Sequence, residues 1–183
     1  KFIDYATQLN WGIKNTNINT MWTMRMDADE ELTPELVEEL KQKLPKVSDD
    51  VNGIILKRRV YFMGRWIKHG GKYPELLLRI FRTGFGECEQ KLMDEHMILK
   101  SGNKIKFDCD IIDNNNKNLE WWTHKHNWYS NREVLDYQQK VIVTSEKENE
   151  ISANVNGEQA ERKRFIKNNG YYKLPLFFRA HVY

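Results

Sequence analysis

Only two cysteines occur in 183 residues, and Cys88 and Cys109 form neither a C-x-x-C pair nor a zinc-like spacing. That argues against a zinc site built on cysteines and leaves two readings, a lone disulfide or two thiols in a reducing compartment, the second being the simpler. The chain has no continuous apolar run long enough to span a bilayer and no secretory signal pattern. It also lacks an excess of either charge: 29 basic residues stand against 26 acidic ones, a net +3 with a pI near 8.7. So small a bias does not imply nucleic acid, although it permits an anionic ligand or a membrane surface. No internal repeat stands out. There is no Met before the first helical pattern, which is the expectation for a piece of a longer chain.

What is present suffices for a fold. The sequence is 40% hydrophobic and 12% aromatic, enough for one sizeable core, with one domain plus an appendage as the natural organisation. Phe2, Ala6, Leu9 and Ile13 recur at helical spacing and predict an amphipathic helix over residues 2–15. The apolar, aromatic run Met21 to Met26 reads as a buried strand. Thr33, Pro34 and Glu35 are N-cap, first-turn proline and first-turn acid of a second helix carrying Leu36, Val37 and Leu40. The helix, strand, helix order is that of an α/β sheet. Strands are expected over 51–62 and 76–82, and a hairpin pairing 97–100 with 105–110 around Ser101-Gly102-Asn103. A loop follows at DNNNKN, then a helix over 119–142, a polar linker over 144–160 and a basic, aromatic end.

The chemistry concentrates where the apolar run ends, in Asp27-Ala28-Asp29-Glu30. In extended backbone Asp27 and Asp29 project to the same side, about 7 Å apart. At an effective dielectric near 20 their carboxylates repel by roughly 2 kcal/mol. Thr33 already caps the helix, so neither acid is needed there. A divalent cation offsets the repulsion directly, and Mg²⁺ or Mn²⁺ needs only one or two carboxylates when a substrate phosphate supplies further ligands. The segment also follows a strand, and open α/β sheets bind ligands outside the carboxyl ends of strands. A solvated acidic turn is the plain alternative.

The segment MWTMRMDADEELTPELVEEL resembles the Asp-x-Asp region of family 2 glycosyltransferases with the GT-A fold. The likeness continues through VNGIILKRRVYFMGRWIKHGGKYPELLLRIFR, CEQKLMDEHMIL and WWTHKHNWYSNREV, covering roughly residues 9–135. It is similar to bacterial enzymes that build lipopolysaccharide and other surface polysaccharides. The resemblance implies an α/β, Rossmann-like GT-A fold, partial, with a C-terminal helical extension. Residues 1–143 would be the C-terminal part of the catalytic domain and 144–183 a linker and extension. It implies an enzyme of hexosyltransferase type that takes a sugar from a nucleoside-diphosphate sugar donor to a hydroxyl of a glycan or lipid-linked acceptor, usually with inversion. The cofactor would be Mn²⁺ or Mg²⁺. On matching positions, Asp29 would hold the metal bound to the donor diphosphate, and Asp27 would contact the ribose or the metal's water shell. The βαβ portion that holds the base in such enzymes has no counterpart here, which puts base recognition outside this sequence.

A second acidic group is Asp94-Glu95-His96. In inverting transfer one carboxylate takes the proton of the acceptor hydroxyl as that oxygen attacks the anomeric carbon. The resemblance places this base at Asp94 or Glu95, with Asp94 preferred; adjacent residues point apart in extended structure. His96 either contacts metal or donor, or orients its neighbour. His124 and His126 form an H-x-H, whose helical spacing sends them to different faces and suits a packing or surface role.

Between the acidic groups lies GRWIKHGGKYP. Gly64, Gly70 and Gly71 permit close approach of backbone to a ligand, Trp66 and Tyr73 offer apolar faces, and Arg65, Lys68 and His69 offer donors. The loop is expected to border an acceptor pocket, the alternative being a turn-rich loop whose Trp66 plugs the core. In the tail, Arg162, Lys163, Arg164, Lys167 and Lys173 accompany Phe165, Ile166, Leu174, Leu176, Phe177 and Phe178. That mixture suits either an anionic membrane face or a helix packed on the catalytic domain. Taken with the resemblance, it implies a cytoplasmic enzyme, peripheral at the inner face of the plasma membrane on the first of those readings.

Three rivals remain. A haloacid-dehalogenase-type phosphatase also places Asp-x-Asp after an apolar strand, but Gly-Thr or a similar pair normally follows, and here Glu30-Glu31 does. A metal-dependent nuclease would need a basic stripe that the chain lacks. A non-catalytic carbohydrate-binding module would use Trp66, Trp121 and Trp122 as platforms, and leaves both acidic groups without a purpose.

Overall fold

A computed structural model describes residues 2–91, 93–142 and 151–175. The first helix, α1 (Tyr5–Asn15), starts where Asp4 accepts the Thr7 N–H at 2.6 Å, three residues later than the apolar spacing alone predicts. Strand β1 (Trp22–Met24) is shorter than the apolar run, and β2 (Glu30–Leu32) is a strand the sequence pattern did not announce. Thr33 caps α2 (Pro34–Lys43) as expected, its hydroxyl accepting the Leu36 N–H at 3.1 Å. Then come β3 (Val51–Phe62), the two-residue β4 (Arg65–Trp66), β5 (Glu75–Arg82), β6 (Gly86–Cys88), β7 (Met97–Leu99), β8 (Asn103–Asn114) and α3 (Leu119–Ile142).

The architecture is mixed α/β. Five strands form a curled sheet in the order β1-β5-β3-β8-β2, with β4 added to β3. Only β3 and β8 run parallel; every other pair is antiparallel. The hairpin expected around Ser101-Gly102-Asn103 does not form. Gly102 makes the turn at φ 87°, but β7 pairs back onto β6, whereas β8 lies between β3 and β2. The turn residues specify a reversal and leave open which strand each arm joins.

Curling is forced by connectivity. Strands β1 and β2 lie at opposite edges, which in a flat sheet are roughly 19 Å apart. The link between them, residues 25–29, contains a tight turn closed by the Glu30 N–H on the Asp27 carbonyl at 3.0 Å. Three extended steps and a turn cover at most about 17 Å. The edges therefore draw together, and the acidic link crosses the sheet.

Two apolar clusters fill this frame. Leu36 from α2 packs with Ile54, Leu56, Ile80, Phe107 and Ile111; Ala6 from α1 packs with Phe81, Cys88 and Met97. Helix α2 also repairs a defect. Opposite Leu56 the β3–β8 register jumps, so that Lys106 pairs with Ile55 and Asp110 with Lys57. The buried Glu39 carboxylate accepts the N–H groups of Asp108 and Cys109 in this bulge, at 2.9 and 2.8 Å, and binds Lys43 at 2.6 Å. Burial alone would raise the Glu39 pKa, but those donors outweigh it and hold it down to about 2.

The chain divides into two compact units, Lys1–Glu146 and Lys147–Tyr183. In the second, α4 (Gln159–Asn169) begins with a reciprocal Glu158–Glu161 capping box, and the buried Arg164 donates to the Ile151 carbonyl at 2.8 Å. Lys173 donates to Asn169 at 3.2 Å and Lys167 sits over the Tyr172 ring, so part of the basic set of this tail is engaged within the unit. Leu176, Phe177 and Phe178 lie outside the described residues. Both cysteines are free thiols. No helix among the described residues is long and apolar enough to cross a membrane.

The Glu39 contact predicts a specific pH dependence. Its folded pKa is depressed, so its contribution is full above the ordinary pKa near 4.5 and is lost as pH falls toward 2. Glu39→Gln is expected to cost about 1–3 kcal/mol at neutral pH by urea unfolding, a gap that closes on acidification.

Candidate functional site

Asp27 and Asp29 do not lie on an extended strand. They flank the tight turn, which sends the two carboxylates to different partners. Asp27 receives Arg79 at 3.1 Å and Arg25 at 3.5 Å. Asp29 accepts the Asn115 amide at 2.9 Å, and its carbonyl accepts the Asn114 N–H. The repulsion expected between the two acids is thus countered at Asp27 by guanidinium groups of β5 and of the residue following β1.

Arg79 is 4% exposed and is the centre of the arrangement. It occupies the position on β5 where pairing with β3 skips from Leu78 to Ile80, and its Nη2 reaches both Asp27 and Glu30. Glu30 also accepts the Asp27 N–H at 2.9 Å. Arg58, from β3, binds Glu75 at 2.6 Å and Asp113 at 3.3 Å and comes within 3.9 Å of Glu30. Arg25 completes the group, 4.0 Å from Glu95. Among the described residues five carboxylates thus meet three guanidinium groups, the acids being Asp27, Glu30, Glu75, Glu95 and Asp113.

Burial and the guanidinium groups set the acidities apart. Burial would raise the Asp27 pKa, but Arg79 and Arg25 outweigh it and hold the group below the ordinary range. Glu30, buried more deeply, is pushed up by desolvation despite Arg79. Asp113 is also raised, chiefly by burial and further by the charges of Asp29 and Asp27. Protonation relieves such crowding, and so does a cation. Among the described residues no group of three or more His, Cys, Asp or Glu side chains is placed to hold a metal ion. Asp27 and Asp29 remain two oxygen donors of the hard type that Mg²⁺ and Mn²⁺ prefer.

The second acidic segment splits. Glu95 is half-buried and faces Arg25, whereas Asp94 is exposed at φ 58° with its carboxylate 4.0 Å from Lys91. His96 lies on Glu89, a fully buried acid next to β6. Arg25 therefore joins Asp27 to Glu95, Asp29 is held separately by Asn115, and Asp94 points elsewhere.

The glycine-rich loop belongs to a different neighbourhood. Trp66 is covered by Arg59 and Lys68, 4.9 and 4.6 Å from its ring centre, and Tyr73 meets its edge at 5.0 Å. Arg59, Tyr73 and Lys57 converge on the buried Asp110, beside a groove of about 340 Å³ that Thr33 and Glu35 help to line. Arg65 is exposed on β4, and His69, Gly70 and Gly71 are exposed at the loop tip, both glycines at positive φ. His126 stacks on Trp122 within α3, its Nδ1 2.8 Å from the Trp122 carbonyl oxygen, which is a packing role.

Sequence reasoning missed Arg25, Arg58, Arg79, Glu75, Glu89 and Asp113. A signal was available for Arg79, which interrupts the apolar run LLLRIF of β5, where a charge is costly without a partner. No family model matches the chain, and no solved structure matches it.

Removing Arg79 takes the nearest cation from Asp27 and from the buried Glu30. Arg79→Met is expected to lower unfolding free energy by about 3–5 kcal/mol, while Asp29→Asn, at a half-buried carboxylate held by an amide, shifts it by less than about 1 kcal/mol. Urea titration of both variants checks the contrast.

Proposed function

We propose that this chain is the metal- and acceptor-side part of a GT-A-type glycosyltransferase, moving a sugar from a nucleoside-diphosphate donor to a hydroxyl of a glycan or lipid-linked acceptor in cell-surface polysaccharide synthesis. The observation that supports it is the bridge of Arg25 between Asp27 and Glu95, at 3.5 and 4.0 Å. Two acidic segments nearly seventy residues apart in sequence thereby share one site. Each supplies one half of what inverting transfer requires, a phosphate-side anchor and a proton acceptor.

Asp29 and Asp27 would hold Mn²⁺ or Mg²⁺, which when bound offsets the charge of the departing diphosphate. Glu95 takes the proton of the acceptor hydroxyl while that oxygen bonds to the anomeric carbon and the bond to the diphosphate breaks. Its half-buried position beside Arg25 favours it over the exposed Asp94 for this role. Arg25 holds Asp27 and Glu95 side by side, so that both face one site.

Rival chemistries fit less well. A phosphatase of the Asp-x-Asp type would need Gly-Thr or a similar pair after the motif, where Glu30-Glu31 stands. Trp66, the foremost platform for a sugar-binding module, has Arg59 and Lys68 over its ring. The cytoplasmic, membrane-peripheral setting follows from the same proposal.

The test is Mn²⁺-dependent release of nucleoside diphosphate from a panel of sugar nucleotides, measured on the gene product carrying this chain. Asp29→Asn and Glu95→Gln are expected to lower kcat by at least about 100-fold, and Asp94→Asn by less than about tenfold. A panel with no turnover and no metal-dependent nucleotide binding sinks the proposal.

A further inference from the structure

Glu89 is 0% exposed and directly follows β6, yet nothing in the chemistry above uses it. Its own N–H donates to the His96 carbonyl at 2.9 Å, and the His96 N–H donates back to its carboxylate at 3.3 Å. The same carboxylate oxygen lies 3.7 Å from His96 Nδ1, a buried ring nitrogen with no hydrogen-bond partner among the described residues. One residue before Glu89, the Asn10 side chain of α1 clamps Cys88 at both its N–H and its carbonyl, each at 2.7 Å. Helix α1 thus fixes Cys88, and Glu89 fixes His96, immediately beside Glu95.

We infer that Glu89 is a positioning residue that sets the His96 ring with its proton on Nδ1 and its lone pair on Nε2. The argument is electrostatic. The Glu89 Oε2 already accepts the His96 N–H, so a lone pair on Nδ1 would face another lone pair in a buried setting, whereas an N–H there is attracted. The 3.7 Å separation is just outside hydrogen-bond range, and a small ring rotation closes it. With the proton on Nδ1, the ring in this tautomer presents an acceptor at Nε2. Such a nitrogen takes a hydroxyl, not a phosphate oxygen. Under the transferase reading, on which this last consequence rests, His96 contacts a sugar hydroxyl and not the diphosphate; the ring's tautomer does not depend on that reading.

Long-range proton–nitrogen NMR of the ¹⁵N-labelled chain, with His96 assigned from a His96→Gln spectrum, reads the tautomer directly. The expected parent spectrum shows the Nδ1–H form, replaced by the Nε2–H form in Glu89→Met. A parent ring in the Nε2–H form, or an unchanged ring in a folded Glu89→Met, overturns the inference. If Glu89→Met does not fold, Glu89→Gln is read the same way, with a loss of at least about half of the Nδ1–H form expected and no loss overturning it. In an active preparation, Glu89→Gln is expected to lower kcat about tenfold with donor KM held within about twofold, and an unchanged kcat removes the positioning role. Absence of any sugar transfer counts against the transferase reading alone, because the tautomer is still decided by NMR.

Discussion

The buried guanidinium of Arg79 holds this structure to its shape. The link from β1 to β2 must cross the sheet, and it carries Asp27 and Glu30 inward as it does so. Burying the Glu30 carboxylate without a cation would cost several kcal/mol after relaxation, and Asp27, partly exposed, less. Arg79, placed where the pairing of β5 with β3 skips a residue, meets both. Curl, acidic turn and site are therefore one arrangement: the short link draws the sheet edges together, and the arginine makes the crossing tolerable.

Arg58 and Arg25 extend the same logic outward. Arg58 ties Glu75 of β5 to Asp113 of β8 across the central strand, and Arg25 ties the turn to Glu95. Buried ion pairs of this kind add little net stability relative to apolar packing, because desolvation consumes most of the attraction. Their value is in fixing geometry. The carboxylates around them differ in acidity, Asp27 below the ordinary range and Glu30 and Asp113 above it, within one small region. Groups pushed apart in this way are what a site needs to hold some acids ionised while others accept protons.

A second constraint operates along β8. The bulge opposite Leu56 exposes two backbone donors, and Glu39 of α2 absorbs both. That contact pins α2 to the sheet on the side where Thr33 also donates to the Asp110 carbonyl at 3.1 Å. The groove beside Lys57, Arg59 and Tyr73 is formed by this docking. The glycine-rich loop closes against the groove and not against the acidic turn, so the two polar regions of the first unit are separate features.

Local chemistry settled several elements. The Thr33 cap with Pro34 defines the start of α2, the apolar β-rich run of 51–62 defines β3, and the stretch from Leu119 to Ile142 defines α3. The acids at 27, 29 and 95 were likewise visible as candidates, because carboxylates grouped after an apolar run demand a partner. Other features were hidden for physical reasons. Glu30-Glu31 carries no apolar alternation, so β2 exists only because β8 offers it an edge. The turn at Gly102 names a reversal, and the pairing of β7 with β6 depends on strands distant in sequence. Whether Asp94 or Glu95 faces the site depends on how residue 94 turns, which periodicity does not encode. What the sequence by itself determined is the set of charged and apolar groups and their local helices and strands. Which acid meets which arginine was decided only by the tertiary structure, since Arg79 to Asp27, Arg58 to Asp113 and Arg25 to Glu95 each join distant parts of the sequence through a sheet whose curl no local pattern specifies.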